Sequence, residues 1–453
     1  MPRQLALFIY ILIVIYLFWI DRKNNEGISK AIWIPFLWMF PSATQEYSFW
    51  LSYLFGIGSS SENLIEGNAY DRLIQIVLMA AAAYILVKRK VNWNTILWEN
   101  IWIWLYFLFG LLSCLWSDYP FVSFKRLIKA IGNVMILLVI LSENLPYETL
   151  FVIVKRIAFL VIPLSVLSIK YYPSLGRRYN YQGIPMLRGI CRTKNTLGQI
   201  CLIVGTFFCW KLVIDRWKGM KHPLDPPFSA YLIIFSMTAW LFYMADSATS
   251  LTCMFLAVGI FMVARLPTVS INPPRIIFIV FGIFILYGIM ESLFNLTDTI
   301  IVMLGRRPDL TTRVPMWDDL LGMVKNPIIG FGYESFWLGD RREFMVEEWG
   351  IASQAHNGYL EMYLNMGLIG VLFLATWLIS GLKKIMQYIA IDYPNGVLRF
   401  CLFVIIAVYN WTEATFYGNT NMWLLFFFAI MDPLNDTKPN TQTLSEHDIK
   451  PIS

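Results

Sequence analysis

Ala355-His356-Asn357-Gly358 leads directly into YLEMYLNMGLIGVLFLATWLIS, residues 359–380. Within a few positions a long polar segment gives way to an apolar run. The hydrocarbon core of a bilayer is about 30 Å thick, so a helix needs roughly 20 mainly apolar residues to cross it. The run at 359–380 meets that length. The same rule places spans near 4–20, 70–87, 95–116, 121–141, 149–169, 195–214, 228–245, 250–266, 275–293, 397–411 and 420–432. Region 31–57 is apolar, but Pro35 and Pro41 interrupt it and Gln45-Glu46 lie in its middle. It reads as one broken span or as a re-entrant piece.

The expected fold is therefore an all-α polytopic membrane protein with about 12 transmembrane helices and one large extracytoplasmic loop carrying short amphipathic helices. Residues 1–293 are expected to form a transmembrane bundle and 294–358 the extracytoplasmic catalytic loop. Residues 359–432 would supply the C-terminal transmembrane helices, and 433–453 a disordered cytoplasmic tail rich in Asn, Thr, Asp and Pro. The run Leu5 to Ile20 lacks a small-residue cleavage pattern and reads as a retained first helix.

Composition agrees. The chain of 453 residues is 57% hydrophobic and 16% aromatic but only 15% charged, well above the apolar content of a soluble domain. Its net charge of +6 is spread over many loops and reads as a topology signal, with no nucleic-acid footprint. Six cysteines show no metal-ligand spacing and mostly lie in apolar runs, where Cys acts as a small hydrophobe.

Lys and Arg are retained on the cytoplasmic side. Lys88-Arg89-Lys90, Lys211 to Lys221, Arg265, Arg275 and Lys383-Lys384 mark that side, so 170–194, 246–250, 294–358 and 411–419 fall outside. One loop breaks the rule that placed it. Lys170, Arg177, Arg178, Arg188, Arg192 and Lys194 lie between spans with no acidic residue among them. Either the topology is shifted there, or the charges meet an anionic ligand, whose oxygens Arg forks match bidentately.

The polar segment opening at Gly305 gathers the candidate chemistry. His356 alone of the three histidines is placed outside; His222 falls in a cytoplasmic loop and His447 in the tail. An imidazole can exchange a proton near neutrality, so His356 reads either as a general base or as a histidine packing a helix start. Arg306, Arg307 and Arg313 precede the amphipathic segment Trp317 to Val324. They could clamp a pyrophosphate and stabilise its departure, or lie at the headgroups as interfacial cations. Among the carboxylates Glu334 stands out, because surrounding glycines and aromatics imply an ordered turn. There is no phosphate-binding Gly-rich loop, dinucleotide fingerprint or His-Glu-x-x-His.

Together these residues resemble the O-antigen ligase and exopolysaccharide polymerase superfamily of bacterial inner-membrane proteins, and most of all its exopolysaccharide-production members. The resemblance rests on His356-Asn357 followed by Gly367-Leu368-Ile369-Gly370, and on Thr312-Arg313, Trp317, Asn326-Pro327 and Gly330-Phe331-Gly332-Tyr333. Leu115-Trp116-Ser117-Asp118-Tyr119-Pro120 with Ser123 and Arg126, and Arg192-Thr193-Lys194-Asn195-Thr196-Leu197-Gly198, are further landmarks.

The resemblance implies cofactor-free, metal-independent glycosyl transfer at the periplasmic face of the inner membrane, from a glycan carried on undecaprenyl pyrophosphate to a polysaccharide acceptor. A chain-length regulator and export machinery are the partners it implies; nucleic acid is not one. By similarity, Arg313 would hold the pyrophosphate, and His356 would activate the acceptor hydroxyl or contact the pyrophosphate. Arg306, Arg307, Asn357, Trp317 and Glu334 are the expected substrate-binding residues. Ligase members carry an arginine in a short Ser-Arg segment, where this chain has Asp246-Ser247-Ala248-Thr249-Ser250. A second cation is therefore expected from Arg188, Arg192 or Lys194. A ligase acting on lipid A core is the alternative, and a flippase of the same lipid-linked sugar a second; the spans' few charges, Lys129 and Lys155-Arg156, would bear on the latter.

Overall fold

The structure is a computed structural model that describes residues 1–23, 28–56, 67–179, 183, 185–217, 226–294, 310–350 and 353–434. Arg306, Arg307, His222, His447 and the tail beyond 434 lie outside the described residues. Helices dominate: α1 (Arg3–Lys23), α2 (Trp33–Ala43), α3 (Tyr47–Phe55), α4 (Ala69–Lys88), α5 (Trp93–Glu99), α6 (Ile101–Ser113), α7 (Pro120–Leu141), α8 (Pro146–Tyr171) and the short α9 (Pro173–Gly176). A hairpin of β1 (Arg177–Tyr179) and β2 (Pro185–Leu187) follows, pairing Arg178 with Met186. Then come α10 (Lys194–Trp217), α11 (Pro226–Ala245), α12 (Ala248–Ala264), α13 (Pro267–Ile271) and α14 (Arg275–Phe294). The last helices are α15 (Leu310–Gly322), α16 (Asp340–Trp349), α17 (Gly358–Ile391), α18 (Tyr393–Tyr409) and α19 (Asn421–Ile430).

Among the described residues six helices are long and apolar enough to cross a membrane, or seven if the bent pair α5–α6 is one span. Four shorter apolar helices, in α11, α12, α18 and α19, accompany them. The all-α membrane class is thus seen, with fewer full-length helices than the twelve expected. Helix α7 is long enough, but Lys125, Arg126 and Lys129 charge its first turns. The broken region 31–57 is two helices parted at Thr44–Glu46.

Burial separates a core from a shell. The apolar window of α8 is 83% buried and that of α10 72%, against 17% for α4 and α14. A helix that is apolar all round and buried is a central post, whereas an exposed apolar one suits lipid contact. The two cations inside α8 share one carboxylate: Lys155 Nζ lies 2.7 Å and Arg156 Nε 2.8 Å from Asp21 of α1. A charge within an apolar bundle is costly unless paired.

Polar contacts sort the helix termini into two ends. At one end Arg89 meets Glu143, whose Oε1 also accepts from Ser29 Oγ at 2.5 Å. Lys384 and Arg399 meet Asp432 at 3.5 and 2.8 Å, and Tyr393 donates to Ala264 O at 2.6 Å. At the other end Gln45 donates to Cys191 O at 2.9 Å and Tyr333 N to Ser113 Oγ at 2.9 Å. This second end holds every described candidate residue.

Helix α17 shows why the glycine motifs co-occur. It breaks at Gly367, with φ +62° and ψ −160°, and the turn 326–332 fills the break. Phe331 N and Gly332 N donate to Leu364 O and Asn365 O, while Leu368 N and Ile369 N donate to Pro327 O and Ile328 O. A β-carbon on Gly367 would sit 2.3 Å from Ile328 O, and one on Gly330 2.6 Å from Asn365 O. The Asn326-Pro327…Gly332 stretch and the Gly367…Gly370 stretch are two halves of one joint.

Candidate active site

The start of α17 fixes His356. Asn357 caps the helix, its Oδ1 accepting from Tyr359 N and Leu360 N at 2.9 and 3.0 Å, as Asn does well at this position. Gly358 N donates to Asn410 O at 2.8 Å, and a β-carbon there would lie 2.0 Å from Asn410 Oδ1. Only glycine permits that approach. Glu361, fully buried, accepts from Ala355 N at 2.5 Å, from Trp337 Nε1 at 2.9 Å and from Asn365 Nδ2 at 3.2 Å. Trp317 Nε1 donates to Ala355 O at 2.8 Å. Both the N–H and the carbonyl of the residue before His356 are thereby tied down.

Asn410, itself buried, shapes the loop between α18 and α19. Its Oδ1 accepts from Thr415 N at 2.7 Å and Phe416 N at 3.0 Å, and its Nδ2 donates to Ile406 O at 2.9 Å. The loop so formed receives both residues of the expected catalytic pair. Arg313 Nη1 donates to Thr412 O at 2.7 Å, and His356 Nδ1 lies 3.5 Å from Glu413 Oε2 and 3.4 Å from Gln354 Nε2. Asn195 Nδ2 donates to the other oxygen, Glu413 Oε1, at 2.8 Å. The Asp246–Ser250 segment also borders the loop, through Thr249 Oγ1 and Thr412 Oγ1 at 2.6 Å. Four remote stretches of chain thus converge on two adjacent residues.

Among the described residues, three of the four non-glycine residues with positive φ lie at this end: Asp246 (+45°), Glu334 (+47°) and His356 (+53°). Such backbone conformations cost energy and cluster at functional sites. Glu334 sits in the expected ordered turn, with Arg126 Nη1 donating to its carbonyl and Gly418 N donating to its Oε1 at 2.7 Å. Burial pushes its carboxyl above the usual carboxylate range, against the opposing pull of Arg126. Nearby, burial raises the phenol of Tyr417, and the negative charges of Glu361 and Glu334 add to this, so the hydroxyl stays protonated.

The three candidates for a second cation separate. Lys194 reaches the Asp246 segment, with Nζ 3.7 Å from Asp246 Oδ2. Arg192 lies near Tyr417, whose phenol its charge pulls down. Arg188 turns away into the hairpin, donating through Nε to Leu175 O at 3.2 Å. The expected substrate residues Trp317 and Asn357 hold the His356 turn in place through their hydrogen bonds to Ala355 O and to Tyr359 N and Leu360 N.

Sequence reasoning missed Glu413 and Glu361. Glu413 is the only charged residue between Asn410 and Thr420, and a lone carboxylate in an outside loop between two apolar helices was the available signal. Glu361 is likewise the first charge inside an apolar run.

Residues 232–375 match the family profile described as O-Antigen ligase. Over that stretch the chain is similar to the O-antigen ligase family. The matched stretch runs from within α11 through Arg313, His356 and the glycine joint of α17, while the landmarks at 115–126 and 192–198 precede it. The chain is also similar to the exopolysaccharide production protein ExoQ of Rhizobium meliloti (strain 1021), with 24% identity over 296 residues. The match covers 62% of this chain and 64% of that protein, just under two thirds of its length.

Proposed function

We propose that this protein joins oligosaccharide repeat units carried on undecaprenyl pyrophosphate into exopolysaccharide, at the periplasmic face of the inner membrane and without a metal. The convergence of Arg313 and His356 on Thr412-Glu413 carries the reading.

The chemistry follows from the atoms. Two negative charges beside hydrocarbon require cationic partners. Arg313 spends one nitrogen on Thr412 O and keeps the rest of its fork for pyrophosphate oxygens; Lys194 supplies a second charge from the Asp246 side. With its Nδ1 proton directed at Glu413, His356 presents the Nε2 lone pair to an acceptor hydroxyl. The hydroxyl oxygen bonds to the anomeric carbon, its proton passes to Nε2, and the bond from that carbon to the phosphate oxygen breaks. Lipid pyrophosphate leaves with the electron pair, against Arg313. Glu413 stabilises the imidazolium, and Asn195 holds Glu413. Oriented proton transfer of this kind contributes about 10²–10⁴-fold in rate, and preorganised cations at the leaving group act where charge develops.

The similar Rhizobium protein is named for exopolysaccharide production, whereas the family description is of a ligase; in this reading the two would differ in the acceptor and not in the donor. A flippase is less supported, because both cations of α8 are paired with Asp21. The test is reconstitution in neutral phosphatidylcholine liposomes with the lipid-pyrophosphate repeat unit and EDTA, but no nucleotide. A ladder of repeat multiples is expected. Transfer only on adding lipid A core would mean ligation, and no transfer to either acceptor would overturn the reading.

A further inference from the structure

The hairpin that departs from the charge rule forms a concavity of about 490 Å³ lined by Pro173, Ser174, Arg177, Arg178, Tyr179 and Arg188. Two of its arginines are anchored by backbone. Arg177 donates through Nη2 to Ile169 O at 2.9 Å and through Nε at 3.2 Å, and Arg188 holds Leu175 O. Arg178 is exposed and opposite Met186 in the hairpin register, beside Arg188. No carboxylate lies in the sequence from 170 to 194, and none of the three arginines forms an ion pair among the described residues. Burial and the charge of Arg178 both pull the Arg188 guanidinium down, the mark of a cation short of a counter-charge. Three guanidiniums gathered this way present a set of donors suited to the oxygens of a polyanion.

The site is separate from Arg313 yet mechanically continuous with it. Arg188 Nη1 donates to Arg192 O at 3.4 Å, and the same segment runs on to Asn195, which holds Glu413. One stretch, 188–195, therefore connects the arginine concavity to the reacting centre.

We propose that the Arg177–Arg178–Arg188 concavity binds the pyrophosphate of the acceptor. This rests on the polymerase reading, in which both substrates are lipid-linked. The donor's pyrophosphate departs, so it must sit at the reacting centre. The acceptor's pyrophosphate is retained and lies a whole repeat unit away from the attacking hydroxyl. It needs its own cations at a distance, on the same side of the membrane. A ligase whose acceptor carries no pyrophosphate lipid has no use for such a site.

The test counts sites directly, without catalysis. Full-length protein in neutral phosphatidylcholine nanodiscs is titrated with farnesyl pyrophosphate, and bound ligand per chain is measured. Two per chain are expected for the wild type. One is expected for Arg178→Gln/Arg188→Gln and one for Arg313→Gln, with Arg178→Gln alone, an exposed change that leaves the hairpin anchors intact, weakening the second site by at least tenfold. Competition by inorganic pyrophosphate identifies headgroup recognition. One site per chain in the wild type, or no change in the arginine variants, would overturn the proposal, as would full displacement by phosphatidylglycerol at membrane abundance, which would mean an ordinary anionic-lipid site. Two sites without any polymer ladder would keep the anion site and overturn its assignment to an acceptor, whereas a ladder with one site would keep the polymerase reading and overturn the anion site.

Discussion

In the proposed reaction His356 and Glu413 act as one unit, because the carboxylate fixes the ring and offsets the charge it acquires. Glu413→Gln is expected to lower kcat about 10²-fold with little change in KM, within the range for general-base catalysis. His356→Ala should cost at least as much, and the double variant little more than His356→Ala alone, since residues acting together are not additive. Additive losses would show that the two side chains work separately. Glu334 gives a pH prediction. Its carboxyl is raised in the folded protein, so the charged form is disfavoured there, and its contribution to stability is present at low pH and lost as pH rises through the folded value. Glu334→Gln keeps an oxygen for Gly418 N and removes that loss. Its melting temperature in detergent should therefore exceed wild type at alkaline pH and converge on it toward pH 4. A gap that widens on acidification would contradict the assignment.

At the scale of elements, the joint between the 326–332 turn and the break in α17 controls where His356 stands. Gly330→Ala and Gly367→Ala each force a side chain onto a positive φ and against a backbone carbonyl. Strain of this kind costs about 1–3 kcal/mol before the clash is added. Both variants should melt lower and lose transfer activity more than tenfold; a wild-type melting curve would show that the joint yields without cost. The apolar helices themselves were legible from hydropathy, with α7, α10 and α14 beginning within a residue or so of their expected starts. The joint was visible only as two glycine-rich motifs, because hydropathy does not say that the carbonyl groups of a broken helix will receive a distant turn. The hairpin at 177–187 was legible only as surplus charge, since three-residue strands carry no usable periodicity. Arg313 and His356 could be picked out by residue chemistry, but their meeting at Thr412-Glu413 could not, because it depends on Asn410 folding a loop far along the chain.

Over the whole molecule, the two polar ends predict sidedness. The candidate site, the arginine concavity and the N-terminus share one end, the last through Tyr172 OH donating to Arg3 O at 3.5 Å. The Arg89–Glu143 and Arg399–Asp432 pairs mark the other. In a variant lacking the six native cysteines, Ser174→Cys should react with a membrane-impermeant thiol reagent in intact spheroplasts, and Ser270→Cys only after lysis. The opposite pattern would invert the orientation and move the site to the cytoplasm.

The most direct test of the central claim is single-turnover release of lipid pyrophosphate from a labelled donor, by reconstituted wild-type protein and by Arg313→Gln and His356→Ala. If charge at the leaving group and proton transfer at the acceptor carry the reaction, each variant should slow release by about 10²–10³-fold while the donor still binds to His356→Ala. Release within twofold of wild type in both variants would show that the chemistry lies elsewhere in the molecule.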